Sequence, residues 1–144
     1  MPLDDFPIRL ELPVLWGNQD LFGHVNNCIH IRWFESSRVA YWDAGIGELM
    51  KSAGNLGPIL ANVTCNYKSQ IRYPDTVHVG ASVRKLGRTS LTMEHVVYCE
   101  NGSKLAAEGQ SIVVLFDYDK QRPVRFPEEM IATIEEIEGG PVGG

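Results

Sequence analysis

Asp20, His24, Asn26 and Asn27 fall within the eight residues DLFGHVNN (20–27), with Gly23 set between the acid and the imidazole. A carboxylate in such a loop can act as a general base toward water. It can also attack an acyl carbonyl directly and give an anhydride. The residues that follow read as a helix, and the first turn of a helix carries backbone N–H groups with no intrahelical acceptor. A carboxylate beside such donors has the parts to add oxygen to a carbonyl and hold the oxyanion that forms, with the N–H groups of Asn27 and Cys28 as the donors. His24 is the second acid–base candidate, because imidazole titrates near neutrality. The plainer alternative is capping, since Asp and Asn side chains commonly close turns and helix N-termini. Capping is the expected side-chain role of Asn26 and Asn27. Cys28 sits where a thiol pKa is lowered, but it has no evident base and reads as a small packed residue.

The elements around this loop follow from the periodicity. Ile8 to Trp16 alternates loosely, with Pro13 placing it at an edge or bend, and residues 17–27 read as a loop. From Cys28 the period becomes helical through Ile29, Trp33, Phe34, Val39, Ala40 and Trp42. The helix should run to about Asp43, close at Gly45, and continue briefly over 46–52. Trp33, Tyr41 and Trp42 read as its core face, and Glu35 and Arg38 as a pair on the helix or across a subunit contact. Four strands follow, over 58–73, 76–86, 88–99 and 104–116, with a tight hairpin at Asn101-Gly102. In the third of these, Thr89, Leu91, Met93, His95 and Val97 share one face. Residues 127–138 read as a C-terminal helix with Pro127 at its start. The expectation is one α+β domain over 1–138, an antiparallel sheet wrapped around one helix, and a flexible Gly-rich tail over 139–144. One helix covers only one face of such a sheet, so a second copy is expected on an open face or edge, as a homodimer or homotetramer.

Composition narrows the class. The chain has 144 residues, 22% charged, and a formal charge of −5, which argues against a general nucleic-acid binder. Three widely spaced cysteines, with no CxxC, read as reduced thiols rather than a disulfide framework or zinc site. No metal ligand set, signal peptide or membrane span is evident, and a cytoplasmic location is expected. There is no G-x-S-x-G, Walker A or dinucleotide motif.

The stretch LWGNQDLFGHVNNCIHIRWFESSRVAYWDAG (15–45) resembles hotdog-fold acyl-CoA thioesterases of the 4-hydroxybenzoyl-CoA thioesterase family. The resemblance rests on Asp20, Gly23-His24-Val25-Asn26-Asn27 and Phe34-Glu35-Ser36-Ser37-Arg38. It continues more weakly through Ile71-Arg72-Tyr73-Pro74-Asp75, Leu86-Gly87-Arg88-Thr89-Ser90 and Ala106-Ala107-Glu108-Gly109. It implies the hotdog fold, hydrolysis of an acyl-CoA, Asp20 as base or nucleophile, and carbonyl polarisation near Asn27. No cofactor is implied, because CoA is part of the substrate. In this fold Arg84, Lys85 and Arg88, with Ser90, could hold the CoA phosphates at a subunit interface. A solvated turn is the competing reading of that cluster. Three positions depart from the family pattern: Asn18 where a second acid is common, Gln70 where proline is common, and Pro74 where glycine is common. The Asn18 departure gives room to a non-catalytic module binding acyl-CoA or acyl carrier protein. A hotdog hydratase is disfavoured, because three residues rather than four separate Asp20 from His24.

Overall fold

Free of proline and glycine from Cys28 to Ala44, the chain winds into α1 (Asn27–Tyr41) in the computed structural model, which describes residues 2–143. Its buried residues, His30, Trp33, Phe34, Ser37, Arg38 and Tyr41, recur at three- and four-residue spacing and form one face. A wide π turn over Trp42–Ile46 follows, where Gly45 has φ 126°, a value that disfavours any side chain. The helix then resumes as α2 (Gly47–Ser52). The expected stop at Gly45 and continuation beyond it are both present.

The sheet contains β1 (Ile8–Pro13), β2 (Leu56–Tyr67), β3 (Thr76–Leu86), β4 (Ser90–Cys99) and β5 (Lys104–Asp117), in the spatial order β1-β3-β4-β5-β2. All pairings are antiparallel, and the short β6 (Arg122–Pro123) adds to the end of β5. Pro13 sits on an edge strand, where the missing N–H costs no central ladder bond. Because α1 packs against β1, β2, β3 and β4, the sheet curls around it in the expected hotdog arrangement. Close approach of helix to sheet requires Gly109. A Cβ there would meet the Phe34 ring at 2.8 Å and collide with the Thr64 carbonyl oxygen. Two apolar clusters fill the interior. One gathers Trp33, Phe34, Ile71, Val77 and Val97; the other gathers Tyr41, Ile46, Met93, Met130 and Ile134.

Several boundaries differ from expectation. The first strand, read as Ile8 to Trp16, is β1 and ends at Pro13, with Trp16–Asn18 in a 3-10 turn. The strand expected over 58–73 is β2, which begins at Leu56 and ends at Tyr67; residues 68–75 leave the ladder, with two N–H groups, Lys68 and Ser69, both donating to Ala106 O. β4 begins at Ser90, after a turn at Gly87–Thr89. Residues 139–143, read as part of a flexible tail, dock on the body. Leu86 N–H donates to Gly143 O at 2.8 Å, and Val142 packs beside the second cluster. Met1 and Gly144, the outer ends of the expected domain and tail, lie outside the described residues. The C-terminal helix is α3 (Glu128–Glu138), with Pro127 at its N-cap.

Candidate active site

The loop before α1 is closed by its own polar residues. Asp20 Oδ1 accepts the N–H of Phe22 at 2.8 Å and, more weakly, that of His24 at 3.4 Å. Asp20 N–H donates to His24 O at 2.8 Å, and Gly23, with φ 79°, turns the chain between them. This is an Asx-type turn, so the capping alternative holds for one carboxylate oxygen. The other oxygen, Oδ2, has no hydrogen-bond partner among the described residues.

Capping also decides which helix N–H remains open. The Asn26 side chain accepts from Cys28 N–H at 3.0 Å, and its carbonyl accepts from Ile29 N–H at 2.9 Å. Asn27 N–H, at the first helical position, has no acceptor among the described residues. The donor expected at Asn27 and Cys28 therefore narrows to Asn27, because the cap consumes Cys28. Two bonds fix the position of this turn: Asn26 N–H donates to Asn18 O at 2.9 Å, and Tyr67 Oη–H donates to Asn27 O at 2.8 Å. Asn18, at the place of a second acid, has a structural task here, since its Oδ1 accepts Leu15 N–H at 2.7 Å.

Asp20, His24 and Asn27 line one cavity of about 240 Å³, closed on its other side by Tyr67 and the 68–71 segment. Val25 N–H donates to Ile71 O at 2.8 Å and ties that segment to the loop. The three residues expected to act together are thus brought together. His30, which the sequence reading did not single out, also lines this cavity. It is buried and packs edge-on against Tyr67 and Trp33, with ring centroids 4.9 and 5.4 Å away. Burial lowers its pKa, partly offset by the nearby Asn26 and Asn27 carbonyls, so the ring is neutral at neutral pH. Its position three residues after Asn27 was the available signal, one turn beneath the free N–H.

Arg84, Lys85, Arg88 and Ser90 lie elsewhere. They flank the β3–β4 hairpin, whereas the Asp20 loop is tied to Ile71, before β3 begins; the eleven residues of β3 place the two ends about 35 Å apart. Arg84 lies at a register shift in β3, pairs with Glu94 at 3.5 Å and sits over the Phe6 ring. Within one chain this cluster does not reach the cavity. Nor do Glu35 and Arg38 form an ion pair within the chain. Arg38 is buried, its Nη1 has no partner among the described residues, and desolvation lowers its pKa with Glu35 opposing. Cys28 is exposed, not packed. Among the described residues no helix is long and apolar enough to cross a membrane, and no cluster of His, Cys, Asp or Glu is placed to hold a metal.

Comparison with known proteins places this geometry in a family context. The profile of the thioesterase-like superfamily matches residues 14–134. A solved thioesterase from Thermus thermophilus, complexed with coenzyme A and Zn, is 33% identical with a TM-score of 0.83, covering 96% of this chain and 99% of that one. A thioesterase-superfamily structure from a Jannaschia species is 26% identical with a TM-score of 0.80, covering 94% and 85%. The Bacillus subtilis protein YsmA is 22% identical over 86% of this chain and 82% of its own length.

Proposed function

The chain belongs to the thioesterase-like superfamily, and we propose that it is an acyl-CoA thioesterase, hydrolysing an acyl-CoA to the carboxylic acid and free CoA. One observation supports the reading: Asp20, with a carboxylate oxygen left unpartnered among the described residues, and Asn27, with an unaccepted N–H, line the same cavity. Asp20 takes a proton from water as the water oxygen adds to the thioester carbonyl. The carbonyl oxygen, now negative, accepts from Asn27 N–H with the α1 dipole behind it. Collapse of the tetrahedral intermediate breaks the C–S bond, and the proton held by Asp20 passes to the departing thiolate. Direct attack by Asp20, through an anhydride that water then cleaves, uses the same two groups. His24 lines the cavity and can assist the transfers. The coenzyme A bound to the Thermus thermophilus thioesterase supports CoA as the leaving group.

The test is turnover of short, long and aromatic acyl-CoAs by wild type and Asp20→Asn. The expected loss in kcat is roughly 10²–10⁴-fold with a retained fold. Wild-type turnover by a folded Asp20→Asn protein overturns the mechanism. Tight CoA binding with no hydrolysis across the panel would instead establish the non-catalytic module.

A further inference from the structure

An N–H serves an oxyanion only if its direction is fixed, and a misplacement of about 1 Å can cost roughly 10²-fold in rate. The N–H of Asn27 belongs to the Asn26–Asn27 peptide group, so its aim depends on what holds the carbonyls on either side of it. Asn26 O accepts from Ile29 N–H at 2.9 Å, inside the first turn of α1. Asn27 O accepts from Tyr67 Oη–H at 2.8 Å, a bond that reaches across from the last residue of β2. The phenol, pushed up to about 12 by desolvation and the Cys65 thiol, stays an O–H donor through the neutral range.

His30 approaches the same two carbonyls from within the helix. Its ring lies within reach of both Asn26 O and Asn27 O, and it stands edge-on to the Tyr67 ring with centroids 4.9 Å apart. Burial keeps the imidazole neutral, so one of its nitrogens carries a hydrogen. Its Nδ1 is sealed from solvent with no completed hydrogen bond among the described residues. Such a nitrogen is costly to bury. Phenylalanine would fill the slot between Tyr67 and Trp33 without that cost, so packing alone does not call for an imidazole. Linked hydrogen bonds polarise one another, and a carbonyl that accepts strengthens the N–H of its own peptide group.

We propose that His30 and Tyr67 are positioning residues for the oxyanion donor, holding the Asn26 and Asn27 carbonyls so that Asn27 N–H is aimed and strengthened. This rests on the acyl-CoA reading above and deepens it. The phenol grips the turn from the sheet, the imidazole from the helix, and both act through Asn27.

The experiment places Tyr67→Phe, His30→Phe and His30→Asn in two backgrounds of the full chain, wild type and Asn27→Pro, which has no N–H at position 27. Turnover of short, long and aromatic acyl-CoAs is measured beside the melting temperature of each protein. In wild type, Tyr67→Phe and His30→Phe should each lower kcat about tenfold. KM should stay within about twofold, as for an interaction made in the transition state. His30→Asn, which restores an N–H near the carbonyls, should recover part of the loss. In Asn27→Pro neither change should lower kcat further, because the donor they serve is gone. Equal losses in the two backgrounds, as a merely structural role would give, overturn the assignment for the residue concerned.

A second measurement does not depend on turnover. Tyr67→Phe keeps the aromatic ring and removes one exposed hydroxyl, so the Asn27 amide proton resonance of isotope-labelled protein should move upfield as the donor weakens. An unmoved resonance overturns the part given to Tyr67. A moved resonance in a chain that hydrolyses no acyl-CoA would keep the positioning and remove the hydrolase reading. Hydrolysis with kcat indifferent to Tyr67→Phe and to both His30 variants would do the reverse.

Discussion

At the scale of single residues, the chemistry turns on which polar groups the loop leaves unspent. Asn26 and Asn27 look alike in the sequence, yet their roles separate in the fold. Asn26 spends its side chain on Cys28 N–H, while Asn27 contributes an N–H that no group among the described residues accepts. That division rests on which N–H the cap reaches, and residue types do not show it. Asp20 was singled out through the family resemblance of its loop, since residue types alone favoured a cap; His30 was not, because a histidine at a core-facing position of an aromatic helix looks like packing. A proline at position 27 isolates the proposed donor. Proline is tolerated at the first helical position, and Asn26, at φ −61° and ψ 140°, already has the backbone that precedes a proline. Asn27→Pro should therefore leave the melting temperature within a few degrees while lowering kcat roughly 10²–10³-fold, the usual cost of one oxyanion donor. Asn27→Ala keeps the N–H and should lose less than tenfold. Equal losses in the two variants would assign the function to the side chain.

At the scale of elements, the period of each segment was legible and its termini were less so. The switch from period two to helical spacing, the break at Gly45 and the Asn101-Gly102 hairpin all follow from local chemistry. The end of β2 at Tyr67 does not, because it depends on Ala106 accepting from Lys68 and Ser69 across the sheet. A second feature set by tertiary contact joins α1 to β4 and β5. His95 was legible as an inward residue of β4, but not its partners. Ser37 Oγ donates to Phe34 O at 2.8 Å, which leaves it to accept from His95 Nδ1–H at 2.9 Å. His95 Nε2 then accepts from Ser111 Oγ–H at 2.8 Å, and the ring stacks on Phe34. The neutral tautomer is thus fully used, and burial, with Arg38 nearby, pushes the pKa down to about 3. Unfolding returns it to an ordinary value near 6.5, so between those values the unfolded chain binds the extra proton. Stability contributed by neutral His95 is whole above about pH 6.5 and is lost as pH falls toward about 3, at roughly 1.4 kcal/mol per pH unit. Buried His30, also lowered, adds in the same direction. Urea unfolding from about pH 7 to about pH 5, above most carboxylate titration, should show this slope in wild type and a reduced one in His95→Gln. Identical slopes would mean that His95 does not set the acid sensitivity.

At the scale of the whole molecule, the unfinished surface is β2. Among the described residues it pairs only with β5 and its other edge is open, and most of its twelve residues are exposed. An open strand of that length invites pairing with another chain. Ile59, Leu60 and Tyr67 add exposed apolar area along it. The neighbouring cavity, about 250 Å³, is lined by Glu35 and Arg38 of α1 together with Pro58 and Leu60 of β2, and the buried Arg38 guanidinium has an unpartnered Nη1 there. A buried cation without a partner is costly, whereas Glu35 beside it is exposed. A two-fold contact along β2 would resolve both, since each surface would then meet its own copy and Arg38 could take a carboxylate from across the axis. That β2 is the unpartnered strand was not legible, because strand order is a property of the folded sheet and not of any one segment. The expected outcome is a dimer in light scattering, with twice the 16.1 kDa chain mass, at micromolar concentration. Leu60→Lys places a charge on the open strand and should shift the population to monomer without unfolding it. Arg38→Met, which removes the buried charge but keeps most of the volume, should retain the fold and weaken the dimer if Arg38 is paired across the axis. A wild-type chain that stays monomeric throughout this range would overturn the two-fold contact and leave the Arg38 charge to be met by something other than a second copy.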